Sequence, residues 1–337
     1  MKLKRDKFRN YFRKNFVLLL VLALITGSLG ACGSKDDWRS REVTVIDDNY
    51  RTWYEIFVYS FCDSDGDQVG DLQGVISKLD YIADMGFNGI WLMPIMPAAS
   101  YHKYDVKDYL EIDPEYGTME DFEELAAECD KRGIKLIIDL VLNHTSSEHF
   151  WFTEACDYLE SLGADEEPSA EDCPYYEYYN FVKGNPNSDV WYQVGSSDYY
   201  YEGMFWSGMP DVNFESQGLR REFEAVMDFW LEKGAGGFRL DAVKEFYSGA
   251  TSKNVEVLTW VNDYVKAADP DAYMVGEAWE GLGTYAQYYA SGIDSFFDFE
   301  FAGPTGVVTK TLTFSGETNS AQAYAKALSR VQNAIRG

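Results

Sequence analysis

The sequence predicts an α/β fold of parallel strands joined by crossover helices. Three observations lead there. Short apolar runs alternate with longer helical patterns, the alternation recurs six times, and polar residues (Asp63, Asn143, Asp241, Glu277) fall at or just past the ends of the runs. Strand-then-helix repeats imply parallel pairing. Six units fit an open doubly wound sheet or an incomplete (β/α)8 barrel. No GxGxxG follows the first strand, which weakens the dinucleotide-binding version. The polar strand ends favour the barrel, in which those ends converge on one mouth.

Taken in order, YEIFVYS (54–60) is the first expected strand, followed by a helical pattern over 72–86. GIWLMP (89–94) precedes a helix over 118–133, and KLIIDLVLN (135–143) is the third strand. From His144 to Asn213 the chain is rich in Tyr, Asp, Ser, Gly and Pro and shows little periodicity, so it reads as an insertion overhanging the barrel mouth. The alternation resumes with a helix over 219–234, the strand GGFRLDAV, a helix over 255–268 and the strand AYMVGEAW (272–279). SFFDFEF (295–301) is the sixth strand, and 320–335 the next helix. The resulting divisions are 1–31, 32–49, 50–143, 144–213 and 214–337.

The first division is an export signal. Residues 1–15 are basic, 16–29 form a short apolar stretch, and LGAC ends at Cys32. The apolar stretch is too short for a comfortable membrane span. A small-residue site ending in cysteine is similar to a bacterial lipobox, which implies cleavage before Cys32, lipidation of its thiol and a cell-surface lipoprotein anchored to the membrane. Residues 32–49 then read as a polar tether. The net charge of −27 includes a leader of +6, so the rest of the chain carries −33, which argues against nucleic acid as a partner and points to a neutral or cationic substrate. No protein partner is implied. Of the five cysteines, Cys129 reads as a buried thiol. Cys156 and Cys173 lie close enough in sequence to form a disulfide, which export permits.

The chemistry gathers at the strand ends. In GGFRLDAVKE (236–245), Arg239 and Asp241 stand two apart, so on a strand they face one space. A guanidinium at that distance favours the carboxylate form, and an ionised carboxylate at a barrel mouth can act as a nucleophile. In MVGEAW, Glu277 follows an apolar run beside Trp279, a setting that raises a carboxyl pKa and suits a general acid. One charged and one neutral carboxyl on adjacent strands is the pairing that glycoside cleavage requires.

At these residues the chain resembles the α-amylase superfamily of glycoside hydrolases. DLVLNH (139–144), GFRLDAVK (237–244) and GEAW (276–279) resemble its third-, fourth- and fifth-strand motifs. NGIWLMPI (88–95) and MPDVN (209–213) resemble its second-strand motif and a short element near the end of domain B. The resemblance implies a TIM barrel with domain B inserted after strand three. It implies Asp241 as nucleophile, Glu277 as general acid/base and Arg239 as partner of the nucleophile. It also implies sugar contacts from His144 and, through YHKYD (101–105), from His102 and Tyr104, with Asp139 buried beneath the site. Lys244 and Trp279 belong to the same motifs and are expected to bind substrate.

DSDGDQVGDLQG (63–74) carries acids at alternate positions with interspersed glycine, as calcium loops do. It resembles the first-strand calcium loop of several α-amylase subfamilies. That implies a structural Ca2+ held by Asp63, Asp65, Asp67 and Asp71 side chains and the Val69 carbonyl. A second family calcium would use Asn143, but Glu245 stands where the family has a histidine. No organic cofactor is implied.

Ala242 and Lys244 resemble enzymes acting on α-1,4 bonds, so starch or maltooligosaccharides are the expected substrate, cleaved with retention. The family's strand-seven N-H-D motif, which supplies a third carboxylate, does not occur between Phe301 and Gly337. Strands seven and eight and the C-terminal β-domain are missing as well. The expectation is that this polypeptide alone is inactive or unstable. Two alternatives belong to other classes: a non-catalytic glucan-binding lipoprotein, and a chaperone subunit of a membrane transporter.

Overall fold

The computed structural model describes residues 47–163, 165–304, 306–313 and 320–336. The export signal, Cys32 and all but the end of the tether lie outside them.

Six parallel strands form one sheet in chain order: β1 Trp53–Ile56, β2 Gly89–Leu92, β3 Lys135–Leu140, β7 Gly237–Leu240, β8 Tyr273–Gly276 and β9 Ser295–Phe296. This sequential order is that of the first six strands of a (β/α)8 barrel. Between β3 and β7 the chain builds a small antiparallel sheet from β4 Phe181–Lys183, β5 Trp191–Gln193 and β6 Tyr199–Glu202 in the order β4-β6-β5.

Strand alternation sorts the side chains into two layers. Leu136, Ile138 and Leu140 of β3, Phe238 and Leu240 of β7, and Met274 of β8 join the large core beneath the helices. Their neighbours face the barrel interior. Ile137, Tyr273 and Val275 pack there with Trp53, Trp91 and Phe297. The register aligns Asp139 with Arg239 and Arg239 with Val275. One inner layer therefore carries an acid, a base and an apolar residue side by side.

The helices start where the sequence provides caps. Thr118 and Asp121 form a reciprocal capping box at the head of Met119–Asp130. Ser216 caps Gln217–Glu232, whose apolar side buries Leu219, Phe223, Val226, Met227 and Trp230. Thr251–Ala268 and Ala321–Arg336 are two further long helices.

Several expected boundaries move. The first strand stops at Ile56 and gives way to the turn of helix Val58–Phe61. There the Tyr59 and Cys62 carbonyls accept from Gly70 and Asp71 of the following loop instead of from a strand. The helix expected over 72–86 divides at Lys78 into Leu72–Ser77 and Leu79–Asp84. The sixth strand covers only Ser295–Phe296, because the Asp298 side chain accepts from Phe301 N–H and starts a helical turn, Phe299–Ala302. The stretch expected to be irregular contains a helix, Phe150–Ser161, capped by His149 and burying Trp151, Phe152, Ala155 and Leu159.

The expected disulfide is corrected. Cys156 and Cys173 are both free thiols. A bridge needs the sulfurs about 2 Å apart. Instead Cys156 packs against the core from its helix, and Cys173 Sγ points to the Glu154 carbonyl at 3.9 Å.

Strands β7 and β8 approach so closely that only glycine fits at 237. Its φ is +133°, and a Cβ there would meet the Tyr273 carbonyl oxygen at 1.9 Å. Gly237→Ala is expected to cost on the order of 3 kcal/mol in chemical denaturation. A loss below about 0.5 kcal/mol, the range of ordinary surface changes, would contradict this strand packing.

Candidate active site

Arg239 is the hub of the site. It is 4% exposed and projects from β7 into the barrel interior. Nη1 donates to both Asp139 oxygens at 2.9 and 3.0 Å and to Asp241 Oδ1 at 2.5 Å. Nη2 donates to Glu277 Oε2 at 2.6 Å. The guanidinium carbon lies 5.0 Å from the Trp91 ring centroid, 5.6 Å from Tyr104 and 5.7 Å from Phe297. Three carboxyl groups thus converge on one cation inside an aromatic collar, where cation–π attraction adds to the ion pairs.

The backbone sets this convergence. Strand β7 ends at Leu240, so Asp241 stands one residue beyond it, yet its side chain still meets Arg239. Asp241 N–H donates to the Leu140 carbonyl, Glu277 N–H to the Leu240 carbonyl, and Val243 N–H back to the Glu277 carbonyl. Ala242 then turns the chain with φ +46°, a left-handed conformation uncommon for a residue with a side chain. Asp241 and Glu277 are therefore held at the C-terminal ends of neighbouring strands by main-chain bonds on both sides.

One guanidinium cannot balance three carboxylates in a site shielded from water. The carboxyl groups respond. Burial raises Glu277 first, the Asp241 charge adds to that, and Arg239 opposes it. Burial pushes Asp139 up to about 7 against the pull of Arg239. Asp139 Oδ2 also accepts from Tyr104 Oη at 3.1 Å and Trp91 Nε1 at 3.2 Å. The setting that raises Glu277 is thus burial beside Asp241. Trp279, expected to provide it, is 62% exposed and stacks on Phe299 at 4.7 Å.

His144 is buried, and burial lowers it to about 4, so its imidazole is neutral at physiological pH. Its ring meets Phe205 edge-on at 5.2 Å. His102 is half-buried, with Nδ1 3.1 Å from Ser100 Oγ and accepting from Tyr104 N–H at 3.2 Å. Lys244 lies in the turn after Asp241, 3.3 Å from Glu245 Oε1. Asn143 is buried and donates from Nδ2 to Asp211 Oδ1 at 3.1 Å.

The acidic loop folds on itself. Asp63 accepts from the backbone of Asp65, Gly66 and Gln68, which holds its carboxyl below the usual range. Asp71 accepts from Ser64 and Gly74. Carboxylate oxygens of Asp63, Asp65 and Asp71 come within 4.8 Å of one another, a donor set and spacing that fit a hard divalent cation. Asp67 is outside that group and accepts from Val69 N–H at 2.8 Å. Val69 packs its side chain on the core.

Sequence reasoning did not single out Trp91, Phe297 or Asp211. Trp91 and Phe297 look like ordinary strand residues, and only the register shows that they face Arg239. Asp211 lies in the quoted MPDVN element. Burial pushes it up to about 7, and its Oδ2 accepts from Met204 N–H at 2.9 Å.

A curled parallel sheet with carboxyl groups gathered at its C-terminal strand ends defines a barrel-type catalytic domain. The alpha-amylase catalytic-domain profile matches residues 55–337, and the chain belongs to that family. It is 42% identical to Alpha-amylase 3 of Dictyoglomus thermophilum over 284 residues, covering 84% of this chain and 52% of that protein. It is 36% identical to Glucan 1,6-alpha-glucosidase of Streptococcus pneumoniae over 268 residues, covering 74% of this chain and 48% of that one. Among solved structures, Eubacterium rectale Amy13B superposes with a TM-score of 0.83 at 48% identity, over 90% of this chain and 59% of that chain. The chain thus spans about half the length of the curated relatives it matches.

Arg239→Met is expected to cost about 3–5 kcal/mol at pH 8, because it strands buried carboxylates. Without Arg239 the raised Asp139 and Glu277 carboxyl groups are pushed further up in the folded state. The folded variant then binds more protons than the unfolded chain, and the deficit shrinks at pH 5. Urea denaturation at both pH values measures this, and a deficit that is equal or larger at pH 5 contradicts it.

Proposed function

We propose that the protein is a retaining α-glucan hydrolase that cleaves α-1,4-glucosidic bonds by double displacement. The observation that carries this reading is the meeting of Asp241 and Glu277 on Arg239 at adjacent strand ends. Asp241 attacks the anomeric carbon while Glu277 gives its proton to the departing glycosidic oxygen. Glu277 then takes a proton from water, and the hydroxide displaces Asp241 from the sugar, which keeps the anomeric configuration. The raised Glu277 suits the first proton transfer, and its pairing with Arg239 suits the second.

The remaining side chains serve positioning. A neutral His144 hydrogen-bonds sugar hydroxyls without introducing charge, and His102 shares that task. Tyr104, fixed by Asp139, presents an aromatic face to the ring. Lys244 and the exposed Trp279 extend the contact surface away from the cleavage point. The α-1,4 choice is supported by Ala242 and Lys244 and by the alpha-amylase name of a relative at 42% identity, above the 36% of the glucan 1,6-alpha-glucosidase.

The acidic loop would hold a structural Ca2+ through Asp63, Asp65 and Asp71, with Asp67 and the Val69 carbonyl completing it. A bound Ca2+ supplies charge balance there and no step of the reaction. The lipobox-like leader supports export and anchoring through a lipidated Cys32. Among the described residues, no helix is long and apolar enough to cross a membrane.

For the full-length protein, Glu277→Gln is expected to lower kcat on maltooligosaccharides by about 10^2–10^4-fold. It should also remove the alkaline fall in kcat/KM, because that limb reports loss of the Glu277 proton. The first sugar released, followed by proton NMR, should be the α-anomer. A β-anomer as first product, or full activity in Glu277→Gln, contradicts the mechanism. Chelation should lower the Tm by several degrees through loss of bound-ion stabilisation, and Asp63→Asn should abolish that difference. An unchanged Tm on chelation contradicts the calcium assignment.

A further inference from the structure

The small sheet has two unlike faces. On one, Tyr201 is buried and packs edge-on against Phe152 at 4.8 Å, inside the main core. On the other, Trp191 pairs in register with Glu202, and Val182 with Tyr200 two residues earlier, so Trp191, Glu202 and Val182 share a side. Trp191 and Val182 are half-buried on that side.

That side borders a cavity of about 470 Å3. Tyr176, Trp191 and Tyr247 give it aromatic walls, Phe181 borders it from the edge strand with its ring on the Tyr201 side, and Glu177, Glu202 and Asn213 give it polar points. Tyr176 and Phe181 stack at 5.8 Å, and Asn180 Nδ2 fixes Glu202 Oε2 at 2.9 Å. Asn213 Nδ2 is tied to the Glu177 carbonyl at 3.1 Å, and the same two residues wall a second hollow of about 540 Å3. The first cavity includes none of the Arg239 cluster and has no Lys or Arg in its lining.

We propose that this cavity is a second α-glucan-binding site, which holds a segment of the polysaccharide apart from the catalytic cluster. Its size lies within the range of small-ligand sites, about 300–1,000 Å3. Aromatic faces cover the apolar sides of sugar rings, while Glu202 and Asn213 exchange hydrogen bonds with hydroxyl groups. The lack of basic residues disfavours an anion. Asn180 holds one Glu202 oxygen and leaves the other for a hydroxyl donor. The ligand class rests on the α-glucan reading above, whereas the site does not depend on the catalytic assignments.

The test is affinity electrophoresis of the full-length protein through a gel containing glycogen, beside hydrolysis of maltotetraose. Wild type should be retarded. Trp191→Ala should be retained about tenfold more weakly, which corresponds to about 1.4 kcal/mol, and should keep its kcat/KM on the short substrate, which also shows that it is folded. Tyr81→Ala, an exposed aromatic elsewhere, should behave as wild type. Equal retardation of Trp191→Ala and wild type overturns the proposal, as does quenching of Trp191 fluorescence by tetramethylammonium but not by maltohexaose. If wild type hydrolyses maltotetraose but is not retarded, the second site falls and the hydrolase reading stands. If it does neither, the α-glucan reading falls and takes this ligand with it.

Discussion

The site depends on one buried cation. Arg239 reaches three carboxyl groups at three different strand ends, and among the described residues no other basic side chain bonds to them. Its cost is high, because a guanidinium and its partners leave water together. That cost is offset only when every bond is made. Four hydrogen bonds onto Asp139, from three donors, and a ring collar of Trp91, Tyr104 and Phe297 supply the geometry. Asp139 thereby acts as an anchor. It fixes where the guanidinium sits, and the guanidinium fixes where Asp241 and Glu277 meet.

The same arrangement separates two chemically alike groups. Asp241 and Glu277 share Arg239, and burial with the neighbouring negative charge raises Glu277 toward its neutral form. In the proposed mechanism Glu277 serves as acid and then base while Asp241 serves as nucleophile. The barrel makes this inexpensive to position. Parallel strands in sequential order bring Leu240 and Gly276 into register, so the next residues on each strand, Asp241 and Glu277, leave the sheet side by side.

Much of this was legible from local pattern. The alternation in β3, with Leu136, Ile138 and Leu140 outward and Ile137 and Asp139 inward, follows from a period of two, and the capped helices follow from their polar starts. The Arg239–Asp241 contact spans two residues and could be read directly. The contacts with Asp139 and Glu277 span 100 and 38 residues and appear only once the strands are in register. The strands are also shorter than their apolar runs, since loop carbonyls and the Asp298 cap claim the chain before the run ends. Helix Phe150–Ser161 was hidden because bulky residues flank its buried stripe; Phe150, at its start, is exposed. The disulfide failed for a different reason. Compartment and spacing permit a bridge, but only side-chain direction decides one, and the two sulfurs point elsewhere.

The central claim is that Asp241 carries the sugar between the two halves of the reaction. A slow fluorinated α-glucosyl fluoride forms the glycosyl–enzyme ester faster than water can break it, so the intermediate accumulates. Peptide mass spectrometry of the full-length protein should then find one added fluorosugar on the 237–244 segment, at Asp241. An adduct on Glu277 or Asp139, or turnover of the reagent with no adduct at all, would contradict the account.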